Sequence, residues 1–289
     1  MRLGLLDVDG KVCVGVVGED ASDIRLIDGG GVARLEDLIG SDDLLQRAEA
    51  ATPVGAANAR MLAPFPRPRR NIICVGKNYR DHADEFARSG YDTSARQGET
   101  IPEFPIVFTK ATTSVIGPDD PIPDHARLTD SLDYEAELGV IIGRGGRDIA
   151  AGDAASHIWG FTIINDVTAR DIQRNHKQWF LGKSLDGTCP MGPVVLVGSL
   201  QELLTSRIRC WVNGELRQDA AFVDMIFDIP HIIATASRGI TLEAGDIIAT
   251  GTPSGVGLGH VPPAFLKAGD LVEIEVPEIG TLRNRVAPS

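Results

Sequence analysis

No stretch of this 289-residue chain is apolar for long enough to act as a signal peptide or a membrane span, and the opening MRLGLLDVDG meets an acidic residue directly after two leucines. A protein that is neither exported by that route nor embedded in a bilayer is expected, with the cytoplasm as its place of work. Cysteine is scarce: Cys13, Cys74, Cys189 and Cys210 lie far apart without a C-x-x-C pair, which excludes a zinc knuckle or a dithiol motif and suits reduced thiols. Positive charge is also short. With 28 Lys and Arg against 40 Asp and Glu, the net charge is -12, and Arg67-Pro68-Arg69-Arg70 is the one basic cluster, so nucleic acid is a poor partner. There is no G-x-S-x-G elbow and no G-x-x-x-x-G-K-[ST] loop, which removes serine hydrolases and P-loop nucleotide binders. Neither an internal repeat nor a low-complexity tract is found.

What is present is turn chemistry between short apolar runs. The 32 glycines and 17 prolines follow no period, as in a turn-rich β protein. RLGLLDV and KVCVGVV flank Asp9-Gly10, a dipeptide that tolerates the positive φ of a type I′ hairpin, so a small β unit opens the chain. Ser41 is placed to cap a helix over DDLLQRAEAA. The Ala- and Pro-rich segment 52–70 ends in PFPRPRR and marks a boundary near residue 67, dividing a small amino-terminal β domain with one helix, 1–67, from a main domain, 68–289.

Beyond that boundary NIICVG reads as a buried strand and NYRDHADEFARSG as a loop entering a short helix that stops at Gly90. Segment 89–103 lacks apolar periodicity and suits a lid or binding loop. Strands then dominate: PIVFTK, LDYEAELGVIIG, GFTIIND, GPVVLV, RIRCWVNGELRQ with an Asn213-Gly214 turn, DIIATG and LVEIEVPEIGTLRNRV. AAGDAASHIW, TARDIQRNHKQ and DMIFDIPHIIATASR are the helical patterns, too few to alternate with the strands, so the fold class is mixed α+β, rich in β.

Polar residues in this frame suggest chemistry. Glu135 and Glu137 stand two apart on a predicted strand, so both carboxylates project from one face and need a cation, which could equally be a neighbouring arginine. Asp166 ends FTIIND at the rim of a sheet, where it can join them or cap the helix over TARDIQ. Three oxygen donors without His or Cys suit Mg²⁺ or Mn²⁺, with Ca²⁺ also possible, and disfavour zinc. His82 and Glu85, three apart on a helix, form either a surface pair or a general-base dyad. Lys183, in WFLGKSLDGTCPMGP, is a cation that could hold a substrate carboxylate or polarise a carbonyl. ATGTPSGVG offers small residues whose amides, with Thr252, can approach a ligand. His157 and His231 read as structural.

In order along the chain, VGKNYRDHADE, PIVFTK, DYEAELGVIIG, NDVTARDIQ, KQWFLGKSLDGTCPMGP, VNGELRQ, LEAGDIIATGTPSGVG and LKAGDLVEIEV resemble the fumarylacetoacetate hydrolase family, in particular its acylpyruvase and oxaloacetate decarboxylase branch, over residues 70–286. The resemblance implies a mixed β-roll fold, a homodimer, and Glu135, Glu137 and Asp166 as ligands of Mg²⁺ or Mn²⁺. It further implies His82 and Glu85 as a lid-borne acid/base pair, and Arg170, Gln173, Lys183 and Thr252 around a small 2-oxo acid. The expected reaction is hydrolytic C–C cleavage of an acylpyruvate or fumarylpyruvate. Decarboxylation of oxaloacetate, or isomerisation of an unsaturated oxo-diacid of aromatic catabolism, is the alternative, and a non-catalytic metal binder is the opposing class. A longer 89–103 segment and the SLDGTCP sequence depart from the family pattern.

Overall fold

The computed structural model describes residues 1–19, 23–55, 58–91 and 101–289. Its largest sheet has twelve strands, and its main path runs Thr52–Gly55, Asp23–Leu26, Lys11–Val17, Arg2–Val8, Cys189–Val197, Ile158–Asn165, Ala136–Ile142, Ile247–Ala249, Ile72–Gly76 and Ile106–Lys110. A five-stranded sheet is built from Glu215–Ala221, Arg207–Val212, Leu271–Val276, Gly280–Ala287 and Ile122–Pro123. Leu132–Asp133 and Thr168–Ala169 pair separately. Helices are short: α1 is Leu44–Glu49, α2 Arg80–Arg88, α3 Arg170–His176, α4 Phe180–Lys183 and α5 Ile229–Ala236. The β-rich α+β class expected from the sequence is the one observed. No helix among the described residues is long and apolar enough to cross a membrane.

Alternation decides where the core sits. In Arg207–Val212 and Leu271–Val276 every second residue is buried, so Ile208, Cys210, Val212, Val272, Ile274 and Val276 all face inward. They meet Leu138, Val140, Ile142, Phe161 and Ile163 of the large sheet. On the opposite face Ile141 and Ile164 pack with Leu3, Leu5, Leu35 and Leu38. The central strands are thus covered on both sides, and each such aliphatic side chain contributes roughly 1.5–3 kcal/mol.

Both dipeptide turns form as expected: Asp9 and Gly10 have φ of 51° and 83°, and Asn213 and Gly214 have 54° and 79°. The large sheet takes strands from both sides of the boundary expected near residue 67, because Arg2 and Leu3 pair with Leu196 and Val195. Three local expectations are corrected. Helix α1 begins at Leu44 without a side-chain cap, since the Ser41 hydroxyl bonds Asp43 instead. AAGDAASHIW yields only a 3₁₀ turn, Ala154–His157, before Ile158 and Trp159 join a strand, where β-branched and aromatic residues pack well. Glu135 is not within a continuous strand: it stands between Leu132–Asp133 and Ala136–Ile142.

One buried amide ties the site's supports together. Asn78, between strand Ile72–Gly76 and α2, accepts from Phe227 N–H (2.8 Å) and donates to Phe227 O (3.0 Å) and Thr250 O (2.8 Å). Asn78→Ala leaves those three backbone groups buried without partners and should destabilise the fold by about 3 kcal/mol. A fall in the urea midpoint at unchanged m value is the expected reading; an unchanged midpoint would contradict it.

Candidate active site

The carboxylate cluster is assembled by backbone pairing. Asn165, the last residue of its strand, accepts the Glu135 N–H at 3.0 Å through Oδ1, while the Asp166 N–H donates to Glu135 O at 2.8 Å. This reciprocal link, rather than strand alternation, brings Asp166 beside Glu135, and Glu137 follows on Ala136–Ile142. Ligand oxygens of Glu135, Glu137 and Asp166 all lie within 4.8 Å of one another, and all three residues are buried. Asp166 does not cap α3, whose N-cap is Ala169.

Buried cations answer this charge. Lys183 Nζ lies 2.7 Å from both Glu135 Oε2 and Asp166 Oδ2. Arg170 Nη1 is 2.6 Å from Glu135 Oε1, and its Nε donates to Asp133 Oδ2 at 2.8 Å. Lys110, which sequence reasoning missed, lies 2.7 Å from Asp166 Oδ1 while donating to Val167 O at 3.1 Å. Burial favours a neutral Glu135, but Lys183, Arg170 and His82 outweigh it and hold the carboxyl below its ordinary range. Burial likewise works against the Lys183 ammonium, yet Asp166 and Glu135 push it up to about 12, so Lys183 is a donor and not a base near neutrality. Glu137 is pushed well above its ordinary value by burial, then by Asp166 and Glu135; its hydrogen-bond donor is the Gly251 N–H at 2.9 Å.

Several amides of ATGTPSGVG and of Leu258 after it serve side chains of the protein: Gly251 N–H serves Glu137, Gly255 N–H serves Glu85 at 3.0 Å, and Gly257 and Leu258 N–H serve Asp133 at 2.7 and 3.0 Å. Thr252 does reach the cavity, its hydroxyl oxygen accepting from Gln218 Nε2 at 2.8 Å. On α2, His82 Nδ1 lies 3.2 Å from Glu85 Oε2, leaving Nε2 as the ring nitrogen for other work.

His82, Glu135, Glu137, Arg170, Gln173, Lys183 and Thr252 line one cavity together with Val75, Gly76, Lys77, Phe86, Phe108 and Trp179. Asp166 is fully buried behind the lining, and Glu85 supports His82 from outside it. Of the 89–103 segment expected as a lid, residues 92–100 lie outside the described residues. His157 and His231 stay away from the cavity; the His157 ring bonds Arg144 O at 2.6 Å and His231 stacks on Phe227. Asp133 and the aromatic wall were also missed from sequence. Asp133 lay in full view within LDYEAEL, the same acidic run as the glutamates.

The donor set fits a hard divalent cation. Its oxygens come from carboxylates alone, and Asp166 Oδ1 accepts no hydrogen bond despite its ion pair with Lys110. Asp133, Glu135 and Asp166 each pair with a Lys or Arg at 2.8 Å or less, while Glu137 accepts from the Gly251 N–H.

A family model described as fumarylacetoacetate (FAA) hydrolase, C-terminal, matches residues 71–287. Over 231 residues, 80% of this chain and 74% of the relative, the chain is 52% identical to the oxaloacetate tautomerase YisK of Bacillus subtilis. Among solved structures it resembles the fumarylacetoacetate hydrolase EaFAH of psychrophilic Exiguobacterium antarcticum, with 41% identity and a TM-score of 0.84 over the whole of both chains. It also resembles the 2-hydroxyhepta-2,4-diene-1,7-dioate isomerase of Mycobacterium marinum, with 31% identity and a TM-score of 0.75 over 100% of this chain and 99% of that one.

Because the raised Glu137 carboxyl binds a proton more tightly when folded, it lowers metal-free stability as pH rises above the ordinary carboxylate range, and has no such effect below it. Glu137→Gln keeps an oxygen for the Gly251 N–H. It should raise the chelated protein's Tm above wild type by an amount that grows from pH 5 to pH 8, while abolishing the Tm increase produced by Mg²⁺ or Mn²⁺. Equal metal stabilisation of variant and wild type would exclude Glu137 as a ligand.

Proposed function

Starting from membership of the fumarylacetoacetate hydrolase family, to which this chain belongs, we propose that this enzyme interconverts the keto and enol forms of a short 2-oxo dicarboxylate such as oxaloacetate. The observation that carries the reading is His82, backed by Glu85, lining the same cavity as Lys183 and the carboxylate cluster. The relative named an oxaloacetate tautomerase, at 52% identity, supports it. The neighbour named as a heptadienedioate isomerase supports the same class of proton transfer without bond cleavage. Acylpyruvate hydrolysis, expected from the resemblance, is set behind it: the hydrolase name belongs to the neighbour at 41% identity.

Tautomerisation needs one proton moved each way. The C3–H bond breaks and its electron pair forms the C2=C3 double bond; the carbonyl π pair moves to the 2-oxo oxygen, which takes up a proton. Neither water nor a redox partner is consumed. His82 is suited to exchange the C3 proton through Nε2, and the Glu85 carboxylate at Nδ1 fixes its tautomer and steadies the imidazolium. The Lys183 ammonium, kept charged by its two carboxylates, donates toward developing oxyanion charge. Arg170 Nη2 has no hydrogen-bond partner among the described residues and is available to a substrate carboxylate. Glu135, Glu137 and Asp166 would hold Mg²⁺ or Mn²⁺, which when bound supplies Lewis acidity toward the 2-oxo oxygen. Assembly as a homodimer, and a division of the chain into 1–67 and 68–289, belong to the same reading.

The direct test follows decay of enol-oxaloacetate absorbance with Mg²⁺ or Mn²⁺, beside assays for pyruvate formed from oxaloacetate and from acetylpyruvate. Catalysed enol–keto exchange that is lost with chelator, and lowered 100-fold or more in His82→Ala, is expected; general acid–base groups contribute about 10²–10⁴. Pyruvate release from oxaloacetate without catalysed tautomerisation would instead make the enzyme a decarboxylase, and release from acetylpyruvate alone would restore the hydrolase reading. Light scattering should give twice the 30.8 kDa chain mass, and a monomeric mass would reject the dimer.

A further inference from the structure

A glutamine stands where an edge strand would ordinarily bury an aliphatic residue. Glu215–Ala221 lies at one edge of the five-stranded sheet, and Gln218 is its one buried residue. The pairing shifts register beside it: Cys210 faces Gln218 and Trp211 faces Leu216, so Arg217 is the extra residue of a β-bulge, a device that re-aims side chains. Both ends of the amide are engaged. Gln218 Oε1 accepts from the Ala136 N–H at 3.1 Å, and Nε2 donates to Pro253 O and to Thr252 Oγ1, each at 2.8 Å. A backbone N–H can only donate and a carbonyl can only accept, so these two neighbours fix which way round the amide lies. Ala136 is the residue between Glu135 and Glu137, and one side chain thus joins the backbone of the carboxylate cluster to Thr252.

The consequence falls on the Thr252 hydroxyl. Its oxygen accepts the Gln218 N–H, which leaves its own proton to point elsewhere. The other buried threonines, Thr129, Thr162, Thr168, Thr188 and Thr250, each donate the hydroxyl proton to a protein oxygen. Among the described residues Thr252 has no such acceptor, although it is as deeply buried and lines the cavity. We propose that Gln218 is a positioning residue that makes Thr252 a hydrogen-bond donor to a carboxylate oxygen of the substrate. The proposal rests on the tautomerase reading and deepens it. A carboxylate has acceptors alone to offer, and a threonine whose oxygen is already engaged meets it with its proton forward.

The test is a double-mutant cycle on the Mg²⁺-loaded protein, reading oxaloacetate binding by calorimetry and C3–H exchange in D₂O by proton NMR. Thr252→Val should weaken binding by about tenfold or more, as for a lost hydrogen bond to a charged group, while Thr252→Ser stays near wild type. Gln218→Met, which lets the hydroxyl turn, should weaken binding by about threefold or more, and the double variant should bind no worse than Thr252→Val alone. The same losses should appear in KM with kcat little changed. A merely structural Gln218 would cost the same factor with or without the Thr252 hydroxyl, so additive losses would overturn the proposal. So would wild-type affinity in Thr252→Val. If Gln218→Met does not fold, Gln218→Glu, whose carboxylate draws the Thr252 proton to itself, enters the cycle with the same expectation. Wild type that binds oxaloacetate without catalysing exchange would sink the tautomerase reading alone, since the calorimetric cycle still decides Gln218; wild type that does not bind it would refute both.

Discussion

A lysine ammonium seated 2.7 Å from two buried carboxylates is the interaction on which this molecule's chemistry depends. Lys183 brings Glu135 and Asp166 into an arrangement that their mutual repulsion would otherwise open, and the pair in turn keeps Lys183 charged in a place where burial disfavours charge. Arg170 and Lys110 extend the same pattern to Asp133 and to the second oxygen of Asp166. Buried ion pairs of this kind stabilise little relative to apolar packing, because desolvation cancels much of the attraction, but removing one partner is costly. The cluster is thus better understood as a device for holding polar atoms in fixed places than as a source of stability. The stability that holds it comes from the aliphatic layers of the two large sheets on either side.

The parts legible in the sequence are those whose physical cause is local. Asp9-Gly10 and Asn213-Gly214 announce their turns because positive φ is a property of the dipeptide itself. The glutamates two apart and the aspartate closing an apolar strand announce a carboxylate cluster, although the actual approach of Asp166 to Glu135 comes from backbone pairing that no spacing reveals. Contacts that close over long sequence distances were hidden. Lys110 and Asp166 are far apart in the chain, and nothing in PIVFTK marks its lysine as the counter-ion of an aspartate just past the end of another strand. Trp179, Phe86 and Phe108 look like ordinary core aromatics until three separate elements bring them to one cavity. The cap assigned to Ser41 failed because a nearby carboxylate competed for the same hydroxyl. The helix expected over AAGDAASHIW gave way because Ile158 and Trp159 are claimed by a sheet.

Fold and chemistry meet where the two small paired strands, Leu132–Asp133 and Thr168–Ala169, lie next to the central strands. Each leads directly into a chemically loaded segment: one into Tyr134, Glu135 and Glu137, the other into Arg170 and Gln173 at the start of α3. Sheet pairing therefore sets the relative height of acids and cations before any side chain makes its contact. The membership in the fumarylacetoacetate hydrolase family fits this division, with the matched region covering every residue that lines the cavity.

The loop from Gly251 to Leu258 offers its N–H groups to Glu137, Glu85 and Asp133, which sit on three different elements. A single residue inserted or deleted within it would put all three anchors out of step together. A change of length here is therefore expected to disturb Glu137, Glu85 and Asp133 together, whereas a substitution that leaves the backbone in place spares all three.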